Sequence, residues 1–203
     1  TTSVSVDLTG IAGPGDVLFG DNQGNTITGT EQTDLIFVDS SGNDTVIANG
    51  GNDIIYFADQ LNSGDNVDGG AGFDTIILKG RPFVSLGDNT LTSIEQFVIF
   101  SGDDPAIGEN LGRTSVDLFL RDANVGAGEV LTFNASTLNS NEEISIFGES
   151  ELDGSFVMIG GLGRDDFRGG AQNDTFIFGG GALGSSDLIL AGGGTDDRLV
   201  LAG

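Results

Sequence analysis

Gly50-Gly51-Asn52-Asp53-Ile54-Ile55-Tyr56 and its echo Gly69-Gly70-Ala71-Gly72-Phe73-Asp74-Thr75-Ile76-Ile77 decide how this chain folds. Each is a glycine-rich turn ending in Asp that runs into a short strand with an aliphatic at its centre. With the turn-ending Asp as phase marker, the first third of the chain shows Asp16, Asn25 (a variant), Asp34, Asp44, Asp53, Asp65 and Asp74. The steps between them are 9, 9, 10, 9, 12 and 9. Two residues after each marker stands an aliphatic: Leu18, Ile27, Ile36, Val46, Ile55, Val67 and Ile76.

Three-residue strands joined by six-residue glycine turns fit neither a hairpin meander nor a helix of 3.6-residue period. The simplest closure is a flattened right-handed coil in which two repeats make one turn, so that alternate repeats stack in one sheet. Side chains alternate along each strand, which sends the central aliphatic inward and its neighbours outward. Stacked about 4.8 Å apart, the aliphatics form a thin continuous core. Glycine meets the turns' need for positive φ and close backbone approach.

From Lys79 to about Phe156 the repeat disappears while alternation persists, in Gln96-Phe97-Val98-Ile99-Phe100, Ser115-Val116-Asp117-Leu118-Phe119-Leu120 and Ile144-Ser145-Ile146-Phe147. The expectation is a coil continued with longer rungs; a sandwich inserted between two coils is the alternative. The repeat returns with markers Asp165, Asp174, Asp187 and Asp197 at steps of 9, 13 and 10, and with inward Phe167, Phe176, Ile189 and Leu199. No helix of more than two turns is expected.

Composition narrows the chemistry. The 203 residues carry 31 acidic against 7 basic side chains, a net charge of −24. Such a chain repels nucleic acid and anionic membrane surfaces and attracts cations. Yet 37% hydrophobic residues are too many for an acidic disordered tail. Cysteine and histidine are both absent, which removes disulfides, thiol nucleophiles, Ser-His-Asp triads and the common zinc sites. Oxygen ligands remain, the set hard cations prefer. No apolar run approaches a membrane span, and Thr1 opens no signal peptide. The ends at Thr1 and Gly203 read as those of a fragment.

Residues 13–78 and 160–201 resemble the RTX, or hemolysin-type calcium-binding nonapeptide repeat, family, with Asp16, Asn25 and the last two units degenerate. The resemblance implies parallel β-rolls with Ca²⁺ between successive turns on one side, type I secretion, and disorder without calcium. The fold expected is therefore all-β, a parallel β-roll or β-helix in a right-handed solenoid. Residues 1–79 form an N-terminal RTX roll, 80–157 a calcium-poor strand segment continuing the solenoid, and 158–203 a C-terminal RTX roll.

Same-side turns are two repeats apart, so Asp16, Asp34, Asp53 and Asp74 line one edge and Asn25, Asp44 and Asp65 the other. Later, Asp165 stacks with Asp187 and Asp174 with Asp197. Carboxylates one rung apart repel by roughly 3–4 kcal/mol at an effective dielectric near 20. Turn carbonyls, including those of Gly42, Gly51, Gly70, Gly72, Gly161, Gly163 and Gly170, converge on the same edges. These oxygens need a cation, and six or so at about 2.3–2.6 Å describe Ca²⁺ better than Mg²⁺. About six ions follow from the paired turns. Asn25 offers only a neutral oxygen and marks a weak or vacant site. The alternative is a calcium-free coil whose turns are merely hydrogen-bonded.

After the inward aliphatic, one sheet carries Phe19, Phe37, Tyr56 and Ile77, whereas the other carries Thr28, Ile47 and Asp68. A contiguous outward aromatic patch calls for a cover. That cover is other parts of the protein, a second copy, or a sugar; scattered surface Phe is the remaining alternative. The function expected is a calcium-binding structural module of a secreted or cell-surface bacterial protein. It folds on Ca²⁺ after export and supports adhesion or a neighbouring domain, without catalysis and without nucleic-acid or membrane insertion. A carbohydrate-binding roll is the second reading and a β-helix polysaccharidase the third.

Overall fold

The computed structural model describes residues 5–7, 15–38, 41–104 and 111–202. They form an all-β solenoid of parallel sheets. The first sheet runs β1 (Ser5–Asp7), β3 (Thr26–Thr28), β5 (Thr45–Ile47), β7 (Asn66–Asp68) and β10 (Leu91–Thr92). A nine-stranded sheet runs β2 (Val17–Phe19), β4 (Leu35–Phe37), β6 (Ile54–Ala58), β8 (Thr75–Lys79), β11 (Gln96–Phe100), β13 (Val130–Asn134), β15 (Ser155–Ile159), β17 (Thr175–Phe178) and β19 (Arg198–Leu201). A third sheet holds β9 (Phe83–Ser85), β12 (Ser115–Phe119), β14 (Glu143–Phe147), β16 (Arg164–Arg168) and β18 (Leu188–Leu190). The only helical element among the described residues is a 3₁₀ turn at Asp122–Asn124.

Register follows the repeat. Leu18 pairs with Ile36, Ile36 with Ile55, Ile55 with Ile76, and Ile76 with Phe97. The column continues through Phe133, Met158 and Phe176. Opposite it stand Ile27, Val46, Val67 and Leu91, then Val84, Leu118, Ile146 and Phe167. All are buried in one continuous hydrophobic cluster. A one-residue slip would turn each of these side chains to water, and each contributes about 1.5–3 kcal/mol by burial, so register is strongly specified.

The middle segment widens this frame. Strands β11, β13 and β15 lie parallel within the nine-stranded sheet, and each is five residues long. Length gives each strand two inward positions, such as Phe97 with Ile99 and Leu131 with Phe133. The broader interior is filled by phenylalanine: the Phe97 and Phe133 rings stack at 5.2 Å. Between β8 and β11 the chain visits β9 and then β10, one strand in each of the two other sheets.

Three expectations change. Leu199 is exposed, as is every residue of β19, which is the edge strand of its sheet among the described residues. Ile189 is only partly buried against the core. Tyr56 follows the inward Ile55 yet is 3% exposed, so this chain itself covers it.

Candidate metal centres

Each marker carboxylate sits where a glycine turn meets a strand, and the strand places it one rung above its neighbour. Where another marker stands one turn earlier, Oδ1 accepts a hydrogen bond from that marker's backbone N–H; Asp174 Oδ1 accepts instead from Phe156 N–H at 2.7 Å. On the first edge, Asp16 donates to Asp34 at 2.6 Å, Asp34 to Asp53 at 2.7 Å and Asp53 to Asp74 at 2.8 Å. On the second edge, Asn25 donates to Asp44 and Asp44 to Asp65, both at 2.8 Å. In the last block Asp165 donates to Asp187 at 3.0 Å and Asp174 to Asp197 at 2.9 Å. All the stacked pairs drawn from the spacing are therefore adjacent.

The second carboxylate oxygen separates two kinds of position. Asp34 Oδ2 accepts from Thr30 N–H, Asp65 Oδ2 from Asn62 N–H, and Asp174 Oδ2 from Gly170 N–H. For Asp16, Asp53, Asp74 and Asp165, Oδ2 is buried with no donor at all. A buried anionic oxygen without a partner is costly, and a hard cation is the ligand that oxygen donors suit. Asn25 differs: its amide donates to Asp21 and to the Gln23 carbonyl, so the side chain is satisfied within its own turn.

The electrostatics agree. Burial pushes the Asp53 carboxyl up to about 7, and the Asp74 and Asp34 charges add to it against the Asp34 N–H. Burial likewise carries Asp165 to about 7 and Asp65, Asp74 and Asp174 to about 6. Asp44 is also raised, chiefly by burial. Among the described residues the arginine ion pairs go to Glu143, Asp166, Glu149 and Asp196, and to no marker. The columns are anionic and lack a cation of the protein's own.

Glycine is required where successive turns touch. Gly72 has φ +148°, and a Cβ there would lie 1.5 Å from the Gly51 carbonyl oxygen. Gly70, at φ +85°, approaches the Asn49 carbonyl in the same way. A Cβ on Gly163 would meet the Glu142 carbonyl and one on Gly161 the Leu138 side chain. Two of the expected carbonyl donors already accept hydrogen bonds: Gly42 from Asn62 Nδ2 and Gly170 from Gly193 N–H.

Glutamates extend the columns where Asp was sought. Glu95 Oε2 accepts the Asp74 N–H at 2.7 Å, across 21 residues, the same separation as Asp53 from Asp74. Its signal lay in the phase, since the inward Phe97 follows it by two residues. Glu142 accepts three N–H groups, from Gly102, Thr114 and Asn139, at 2.8–2.9 Å. Burial raises its pKa, but those donors outweigh it and leave the carboxyl lowered, a carboxylate stable without metal.

The RTX calcium-binding nonapeptide repeat family matches residues 36–60, 61–77 and 157–182, in four copies. The chain carries RTX repeats in these segments, and repeats of this kind within a β-solenoid support a calcium-binding structural module. No curated protein and no solved structure matches it. Among the described residues no helix is long and apolar enough to cross a membrane.

The aromatic column is short. Phe19 and Phe37 stack at 5.0 Å with planes 8° apart, and Tyr56 meets Phe37 edge-on at 5.7 Å. Phe19 is 65% exposed. The spacing did not single out a second stack, Phe83 on Phe119 on Phe147, which Arg168 covers at 4.7 Å from the Phe147 ring.

Proposed function

We propose that this chain is a calcium-loaded roll of a secreted or cell-surface bacterial protein, folding on Ca²⁺ after type I export and supporting adhesion or a neighbouring domain. The observation that carries this reading is the set of buried Oδ2 atoms on Asp16, Asp53, Asp74 and Asp165 that have no donor. Ca²⁺ supplies positive charge between successive turns, and Asp16, Asp34, Asp53, Asp74, Asp44, Asp65, Asp165, Asp174, Asp187 and Asp197 would hold it with turn carbonyls. About six ions would be bound. Residues 1–79 and 158–203 act as the loaded rolls and 80–157 joins them. RTX repeats are typical of secreted bacterial proteins, and their rolls are in general structural.

Folding and ligation are linked, because a ligand bound only by the folded chain stabilises it by mass action. The test is circular dichroism during a Ca²⁺ titration of stripped protein. A cooperative gain of β-structure is expected; a β-rich spectrum indifferent to chelator would overturn the reading. The exposed Phe19, with the half-buried Phe37 stacked on it, offers apolar surface to a second copy or a glycan, and Tyr56 leaves that set because it is buried.

A further inference from the structure

We propose that Asp122, Glu151 and Asp153 form an additional Ca²⁺ site, outside the nonapeptide turns. Asp122 lies in the 3₁₀ turn, and Glu151 and Asp153 lie one turn later, between β14 and β15. One carboxylate oxygen from each lies within 4.8 Å of the others. The sequence there, Gly148-Glu149-Ser150-Glu151-Leu152-Asp153-Gly154, has none of the glycine-Asp phase of the repeats.

Glu151 is what turns an acidic cluster into a site. It is 0% exposed. Its Oε1 is clamped by the N–H groups of Leu152, Asp153 and Gly154 at 3.1, 3.1 and 2.8 Å. Its Oε2 is buried with no donor. Glu142 supplies the contrast, since three backbone donors there reach both oxygens. A buried carboxylate with one oxygen lacking any donor, in a cluster with two more carboxylates, is the arrangement a cation completes.

The backbone holds this geometry. Asp122 Oδ1 accepts the Leu152 N–H at 2.8 Å, fixing one turn to the next. The Glu151 carbonyl accepts Ala171 N–H at 2.9 Å, seating the cluster under the turn that carries Asp174. Asp122 and Asp153 are exposed, which gives the ion a path from solvent and leaves its outer positions to water. Arg121, next in sequence, sends its Nε to the Leu86 carbonyl.

The test counts Ca²⁺ bound to the full chain by equilibrium dialysis, for the wild type, Glu151→Gln, the pair Asp122→Asn with Asp153→Asn, and Asp53→Asn. Glu151→Gln keeps an acceptor for the three N–H groups, and its amide can donate to the two aspartates, so the fold should hold. One ion fewer is expected in Glu151→Gln, and the same ion is lost in the surface pair, with no further loss when the two are combined. An unchanged count in both overturns the site. Asp53→Asn reports separately on the nonapeptide columns: if it changes nothing while Glu151→Gln does, that reading fails and this one stands. Should Glu151→Gln not fold, the count in the exposed pair decides.

Discussion

The Asp53 N–H donates to Asp74 Oδ1 at 2.8 Å, while the other oxygen of each of these buried carboxylates meets no donor. One half of the side chain thus ties two turns together, and the other half is left for an ion.

Asp53→Asn should therefore lower calcium stoichiometry and weaken the remaining affinity, because Asp34 and Asp74 stack directly against it. Asn25→Ala should leave the count unchanged, since that amide is spent inside its own turn. Isothermal titration of the two variants checks this. Equal losses would mean that the turns do not pair by alternate repeats.

Acid should partly replace calcium. Burial raises Asp53 and Asp165 to about 7 and Asp65, Asp74 and Asp174 to about 6, against about 3.9 in an unfolded chain. Without metal, the folded chain holds the extra protons, so their stabilising contribution is complete below about pH 4 and is lost as pH rises through about 6 to 7. Stripped protein should hold more β-structure at about pH 5 than at about pH 8. With Ca²⁺ present the order should reverse, because the ligands must be deprotonated. Thermal melts under the four conditions measure it; greater order at the higher pH without calcium would contradict it.

Glu142→Ala should cost stability and no calcium. It strips the acceptor from the buried Gly102 and Thr114 N–H groups, each worth about 1–3 kcal/mol when left unpaired, and from the exposed Asn139 N–H, which water can satisfy. Urea unfolding at saturating Ca²⁺ should show a loss of about 2–6 kcal/mol in sum. An unchanged midpoint would place those donors in water.

The aromatic column should split in two. Phe19→Ser, at an exposed ring, should leave the calcium-bound melting point nearly unchanged and reduce any self-association. Tyr56→Ala should destabilise by about 3 kcal/mol, as for a buried aromatic. Sedimentation velocity and melts together distinguish them. A stable Tyr56→Ala that no longer self-associates would return Tyr56 to the partner surface.

Much of this was legible in the chain because the repeat imposes two requirements at once. Ile55 and Ile76 follow Asp53 and Asp74 by the same two residues, so period and face are fixed together. What escaped lacks that redundancy. Glu95 keeps the phase but swaps Asp for Glu; Glu142 and Glu151 sit in turns of irregular length, where no count leads to them. Tyr56 was placed in a stack that needs a cover, but which of the possible covers it has could not be read from the spacing; the chain itself supplies it. Leu199 obeys the phase and is exposed, since its place in the stack, not its pattern, decides its burial.

The ladder also has a direction. In each marker link the donor comes from the earlier turn and the acceptor from the later one, from Asp16 to Asp34 through Asp174 to Asp197. The two ends of any excised stretch are therefore chemically unlike. Trimming from the C-terminal side leaves amides that water can satisfy. Trimming from the N-terminal side strips carboxylates of their donors and deepens the negative charge of the new first rung. Shortened from the front, the solenoid would need calcium more; shortened from the back, it would mainly fray.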